Sequence, residues 1–236
     1  MAATKGLCST CLQRETCLPS GLSPAELERF DALVEQRRDI RRGDSVFRAG
    51  DAFTSLVAVR SGSFKTSVPY EGRERVTGFP MAGALLGLDA ISTGQQRCSA
   101  VALEDSQVCM LRFEALERAS RKWQWLQRTL HRMLSREIVR QRGLIVWLGA
   151  LQSHQRVAAF LCDLCTHLRA RRQSCKAMVL RMSRAEIGSY LGLKLETVSR
   201  SMTHLQQLGL LEVQHRRVQI VDEKALRALA GFAAER

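Results

Sequence analysis

The chain changes texture at Phe113, and that change limits what it can fold into. From about Asp39 to Arg112, short apolar runs alternate with glycine-bearing turns. Val46-Phe47 precedes Gly50-Asp51, Leu56 to Val59 precedes Ser61-Gly62, and Phe64 to Val68 precedes Glu71-Gly72. Val76 to Phe79 leads to Pro80 and Gly83, and Val101 to Leu103 and Val108 to Leu111 follow. Turn signals at this spacing predict an all-β barrel or jelly roll. Ser23-Pro24-Ala25-Glu26 is a capping box with proline at the first helical position, so a short helix should lead in.

Beyond Phe113 the periodicity becomes helical. Residues 120–148 contain no proline, and their one glycine is Gly143. His131, Leu134, Ile138, Gln141, Ile145 and Leu148 follow the 3-4-3-4-3 spacing of a coiled-coil seam. A second stripe, Leu126, Leu130 and Met133, can pack on the chain's own β domain. The seam needs a partner helix, and no other heptad segment is present, so a parallel homodimer is expected.

The charge is as uneven as the texture. Residues 1–118 carry 15 Lys+Arg and 15 Asp+Glu, whereas residues 119–236 carry 21 and 8, which is the whole net charge of +13. A neutral half joined to a basic half predicts a sensing unit attached to a polyanion binder. The basic half contains a second capping box, Ser183-Arg184-Ala185-Glu186, opening a helix through Leu191. Gly192 breaks it, Leu193-Lys194 turn, and a second helix runs from about Glu196 to Leu208 before Gly209. Ile187, Leu191, Val198, Met202 and Leu205 fall where two crossing helices share a core, which is helix-turn-helix geometry. Glu196, Thr197, Ser199 and Arg200 then face the DNA major groove. Arginine pairs with guanine, a carboxylate accepts from cytosine N4, and Leu195 offers an apolar contact to a thymine methyl. Leu210 to Val213, Arg216-Arg217 and Val218 to Ile220 predict a β-hairpin wing with a basic tip.

Cys8, Cys11 and Cys17 form a C-x2-C-x5-C array in a segment too short and polar to make a core. No apolar run of the signal-peptide kind precedes them, and no stretch reaches the length of a membrane span. A cytoplasmic protein with no membrane association is therefore expected, and its thiols read as a metal or redox site rather than a disulfide staple. Five further cysteines follow, at 98, 109, 162, 165 and 175. Cys98 and Cys109 flank one expected hairpin, and spacing does not separate them as a remote fourth ligand. Cys162 and Cys165 lie in an amphipathic helix and read as small buried hydrophobes, while Cys175 lies in a basic loop without a visible partner. Four thiolates suit zinc as well as an iron–sulfur centre.

The order of β-roll, long helix and winged helix-turn-helix resembles the CRP/FNR superfamily of bacterial transcription regulators. Glu186 to Leu193 followed by Glu196-Thr197-Val198-Ser199-Arg200 resembles its FNR branch, as do Phe79 to Gly83 and Gly87 to Ile91. The likeness covers nearly the whole chain. It implies an α+β architecture: a cluster-binding segment (1–20), a cyclic-nucleotide-binding-like β-roll or jelly roll (21–118), a dimerisation helix (119–148) and a winged helix-turn-helix domain (151–236). It also implies that Glu196, Ser199 and Arg200 read a TTGAT half-site within TTGAT-N4-ATCAA-like DNA, and that loops near Gly78–Ile91 touch RNA polymerase.

The same resemblance implies a [4Fe–4S] cluster held by Cys8, Cys11, Cys17 and Cys109. Attack by O2 or NO would then loosen the N-terminal segment, shift the dimer seam and lower DNA affinity. One departure stands out: the seam carries Gln141 where FNR proteins can carry an acidic residue. An uncharged side chain costs less to bury between helices, so dimerisation should depend less on the cluster.

Two other functions fit the sequence less well. A cyclic-nucleotide-responsive regulator needs a Gly-Glu pair and an Arg-Ser or Arg-Thr pair, but here Gly83 precedes Ala84 and Arg97 precedes Cys98. An iron–sulfur DNA-processing enzyme needs a base-flipping pocket with a catalytic Asp or Lys. No such motif, nucleotide-binding glycine loop, H-E-x-x-H or Ser/His/Asp set is present, so a non-enzymatic protein is expected.

Overall fold

The computed structural model describes residues 8–232. The chain divides into two compact units, Met1–Ile138 and Val139–Arg236.

In the first unit, a single 3-10 turn at Cys8–Thr10 and a chain of tight turns lead to helix α1 (Pro24–Asp31). The Ser23 capping box is formed in both directions: Ser23 Oγ accepts from Glu26 N, and Glu26 Oε2 accepts from Ser23 N. Eight strands follow: β1 (Val34–Ile40), β2 (Ser45–Phe47), β3 (Ser55–Ser61), β4 (Phe64–Tyr70), β5 (Arg73–Gly78), β6 (Leu85–Leu86), β7 (Ser99–Ala102) and β8 (Ser106–Arg112). They form two antiparallel four-stranded sheets in the orders β1-β8-β3-β6 and β2-β7-β4-β5.

Strand alternation divides the apolar residues of β3 and β8 between two cores. Val57, Val59 and Val108 join Phe47, Phe64, Ala100 and Ala102 between the sheets. Leu56, Ala58, Cys109 and Leu111 face the other way, onto Leu18, Leu27 and Phe30 from the N-terminal segment and α1. Helix α2 (Phe113–Lys122) adds Leu116 and Ala119 to this second core, and the following helix adds Leu126. Leu130 and Met133 pack on its edge, as the second apolar stripe predicts.

The helix expected over 119–148 begins later and ends later, as α3 (Gln124–Ala150). Trp123 interrupts the chain with an extended backbone (φ −114°, ψ 98°), and its ring stacks on Trp125 at 5.5 Å. Both indoles are half-buried against the second core, and no proline or glycine marks the break. Strand β1 lies outside the span of expected strands because its sequence, VEQRRDI, is too polar to alternate. It is held as an edge strand by its ladder to β8.

The second unit contains α4 (Ser153–Ala170), β9 (Ala177–Val179), α5 (Arg184–Leu191), α6 (Leu195–Gln207), β10 (Leu211–Gln214), β11 (Arg217–Ile220) and α7 (Glu223–Leu229). The hairpin β10–β11 is the expected wing, and β9 adds an unexpected third strand, giving the order β10-β11-β9. Among the described residues no helix is long and apolar enough to cross a membrane.

Candidate functional site

Two sets of side chains carry the chemistry, one in each unit. The first is a pocket lined by Cys8, Cys11, Cys17 and Cys109 together with Arg14, Arg37 and Arg60. Turns set the spacing of the three N-terminal thiols. Cys11 N donates to Cys8 O at 3.1 Å, Cys17 N to Gln13 O at 3.0 Å, and Ser20 N to Cys17 O at 3.1 Å. Cys8 N is anchored by Asp31 Oδ1 at the end of α1. Leu18, fully buried, fastens the segment to the core.

Cys109 comes from the centre of β8, opposite Arg37 of β1 and Ala58 of β3. Its side chain points out of the sandwich toward the N-terminal segment. Cys98 instead lies in the core between the sheets, and its thiol bonds Asp89. The structure thus separates two cysteines that spacing left equivalent: Cys109 lies within β8, and Cys98 in the bend before β7. Burial pushes the Cys8 thiol far up, with Asp31 adding to the effect, and pushes Cys17 up to about 12. Burial also raises Cys109, opposed by a hydrogen bond and the charge of Arg37 and by the charge of Arg60. Burial of this kind favours the neutral thiol, and a bound cation would favour the thiolate instead.

The donor set suits a thiolate-ligated metal centre: four cysteines line one pocket together with three guanidinium groups, and the one carboxylate nearby, Asp31, bonds the Cys8 thiol from outside that lining. Those cations suit the net negative charge of a four-thiolate centre. Arg37 Nε is buried with no hydrogen-bond partner, although the same guanidinium reaches Cys109. Sequence reading missed Arg37, Arg60 and Asp31: Arg37 lies in the polar run VEQRRDI, Arg60 lies at the end of an apolar strand and Asp31 ends a helix, and nothing in those local patterns points to the thiols.

The second set lies on the helix-turn-helix. The Ser183–Glu186 capping box opens α5, and Gly192 closes it in a left-handed conformation (φ +64°). A Cβ at Gly188 would lie 2.6 Å from Leu193 O, so the turn needs glycine there to approach α5. Leu193 N then donates to Gly188 O at 2.8 Å. Ile187, Leu191, Val198, Met202 and Leu205 are all buried, as the crossing-helix pattern requires. Leu195, Glu196 and Arg200 are exposed at the start of α6, with Thr197 and Ser199 half-buried beside them. The wing tip, Gln214 to Arg217, is exposed, and His215 makes the turn with a positive φ of 53°.

Arg156 is a further position that pattern reading did not single out. Its Nε donates to Leu151 O at 2.9 Å, Nη2 to Leu148 O at 2.7 Å and Nη1 to Leu191 O at 3.2 Å. One cation therefore caps the C-terminal ends of both α3 and α5.

On α3, Ile138, Ile145 and Leu148 are exposed, as are Val139 and Val146, while Leu134 and Gln141 are half-buried and His131 is exposed. Ile138 and Ile145 lie one heptad apart, so an apolar stripe runs along the helix uncovered by its own chain. One expectation is overturned: Cys175 has a partner, since its sulfur is paired with that of Cys165.

Residues 37–122 match the family model described as a cyclic nucleotide-binding domain, and residues 155–229 match that of a Crp-like helix-turn-helix domain. The transcriptional regulatory protein btr of Bordetella pertussis is 40% identical over 225 residues, 95% of this chain and 93% of that protein. The chain belongs to the CRP/FNR family of transcription regulators. Other family members include the transcriptional activator protein anr of Pseudomonas aeruginosa, 40% identical over 97% of this chain and 94% of its own. The fumarate and nitrate reduction regulatory protein of Salmonella typhi is 38% identical over 95% of this chain and 90% of its own. The solved structure of FixK2 from Bradyrhizobium japonicum covers 85% of this chain and 98% of its own, at a TM-score of 0.75 and 27% identity. This family membership makes the chain a DNA-binding transcription regulator and not an enzyme.

Proposed function

We propose that this regulator senses oxygen or nitric oxide through a [4Fe–4S] cluster bound by Cys8, Cys11, Cys17 and Cys109. The reading rests on these four cysteines, from two distant parts of the chain, lining one pocket together with three arginines. The relative named for fumarate and nitrate reduction supports a role in respiration without oxygen. When bound, the cluster supplies an oxygen-labile redox centre. The chain's own residues supply the response. Cys8, Cys11 and Cys17 would hold the N-terminal segment against β8 while ligated, and without the cluster its hold rests on packing such as that of Leu18, the Asp31 contact and the local turns.

The output is sequence-specific DNA binding by a homodimer. The α3 stripe of His131, Leu134, Ile138, Gln141, Ile145 and Leu148 forms the seam between subunits. Glu196, Thr197, Ser199 and Arg200, with Leu195, read TTGAT-N4-ATCAA-like sites, and loops at 78–91 meet RNA polymerase. The missing carboxylate at Ala84 and the exposure of Arg97 disfavour control by a cyclic nucleotide.

The experiment is anaerobic purification, with iron and sulfide assays, visible absorption and DNA-binding isotherms before and after air. Four irons per chain are expected, with DNA affinity lost as the cluster absorption bleaches. Protein without iron and sulfide, or DNA affinity indifferent to air, overturns the reading.

A further inference from the structure

The DNA-binding unit holds a second group of thiols that the proposed sensor does not use. Cys162 and Cys165 lie one helical turn apart on α4, both 2% exposed, and Cys175 precedes β9 at 4% exposed. The structure pairs Cys175 with Cys165 rather than with its neighbour in the C-x2-C array, across a Cα–Cα distance of 4.8 Å and a sequence separation of 10. Cys162 is left as a bystander, its thiol pushed up to about 11 by burial.

The Glu223 carboxylate lies within 4.8 Å of the two sulfurs, so the trio could be taken for a metal site. Both oxygens of Glu223 are occupied by the Arg169 guanidinium, however. That leaves two thiols, short of the four donors of a structural zinc site. Sulfur–sulfur chemistry remains.

We infer that Cys165 and Cys175 form a peroxide-oxidisable thiol pair in the DNA-binding unit, chemically separate from the N-terminal cysteines. Burial selects a small oxidant, and hydrogen peroxide is small enough to enter as the 171–174 loop opens. One thiol attacks the O–O bond, becoming a sulfenic acid and releasing water. The second thiol attacks that sulfenic sulfur, the S–S bond forms, and a second water leaves. Two thiols and one peroxide thus become a disulfide and two waters, with two electrons passing from sulfur to peroxide oxygen.

The position of the bond gives it a mechanical effect. Lys176 O, next to Cys175, accepts from Ile220 N at 2.8 Å, and β9 then pairs with β11. Arg172, a non-glycine residue at φ +58°, makes the bend between α4 and this strand. The disulfide therefore fastens the leading end of the wing sheet's edge strand to α4, which itself packs on α6 and α7. In the dithiol form the loop is free to open, and β9 frays first.

The test uses the full chain, reduced and then treated with hydrogen peroxide, blocked with N-ethylmaleimide and digested with trypsin. Cleavage gives Cys162 and Cys165 in peptide 157–169 and Cys175 in peptide 173–176. The expected result is a disulfide joining these peptides through Cys165, with maleimide lost from Cys165 and Cys175 and retained on Cys162. Cys175→Ser should abolish the link, Cys162→Ser should preserve it, and hydrogen exchange at 177–179 should be slower in the oxidised protein than in the reduced one. Full labelling of Cys165 and Cys175 after peroxide, a Cys162–Cys165 bond, or stoichiometric zinc shielding the pair overturns the site. Equal exchange in both forms overturns the clamp on β9. Because the readout is assigned cysteine by cysteine, it is independent of whether the N-terminal segment binds a cluster.

Discussion

Single atoms decide how the N-terminal segment sits against the β-roll. Gly83 has φ +92°, and a Cβ there would fall 2.4 Å from Thr16 Oγ1 and 2.8 Å from Thr16 Cβ. Gly83→Ala therefore meets both a left-handed backbone and the N-terminal segment. It should lose about 1–3 kcal/mol of stability, read by chemical denaturation. The variant should also retain less iron than the wild type after identical anaerobic purification. A second residue-scale effect depends on pH. His167 Nδ1 lies 3.4 Å from Asp163 Oδ2, and a hydrogen bond to Asp163 is the main cause of its raised pKa. A pKa raised on folding gives stability that is complete below the unfolded value of about 6.5 and lost as pH rises through the folded value. The pair is partly exposed, which limits it to about 0.5 kcal/mol. Asp163→Asn should cost that much at pH 6 and nothing at pH 9, measured by urea denaturation.

At the scale of elements, the recognition helix and the wing should fail in different ways. Arg200 is exposed on the first turns of α6, whereas Arg216 and Arg217 lie at the hairpin tip. Arg200→Ala should cost about 1–3 kcal/mol of specific DNA affinity and relax discrimination at a guanine position. Arg217→Ala should weaken binding to all sequences alike and make log K less steep against log salt. Competition titrations with matched and mismatched duplexes at several salt concentrations separate the two. Both helices of the motif were legible in the sequence because capping boxes, a turn glycine and an apolar period agree over one short stretch. Strand β9 was not legible: it has three residues, and only its ladder to β11 makes Ala177–Val179 a strand.

At the scale of the whole molecule, the assembly turns on one stripe. Ile138 is 54% exposed and Ile145 67%, on a helix whose opposite face is anchored by a fully buried Leu126. Gln141 sits between them as a half-buried uncharged residue. A carboxylate at that point would resist burial in a seam, and an amide resists less. Cluster-free protein should therefore sediment as a dimer at micromolar concentration. A clean monomer under those conditions would show that Gln141 does not loosen the link between cluster and dimer.

Local signals in the sequence determined the helix-turn-helix, the heptad stripe, the strand-rich first half, the basic second half and the N-terminal thiol array, because each is written in consecutive residues. Residue spacing left open which remote cysteine meets that array; the family resemblance implied Cys109, and the tertiary structure brings it into the same pocket. Strand alternation along β8 turns Cys109 toward the pocket, whereas Cys98, in the bend before β7, is buried between the sheets. The tertiary structure likewise brought Arg37 and Arg60 to the thiols, joined Cys165 to Cys175, and gave Arg156 three carbonyls from two helix ends. These contacts join residues from separate elements. No periodicity records them, because they depend on how the elements pack rather than on which elements form.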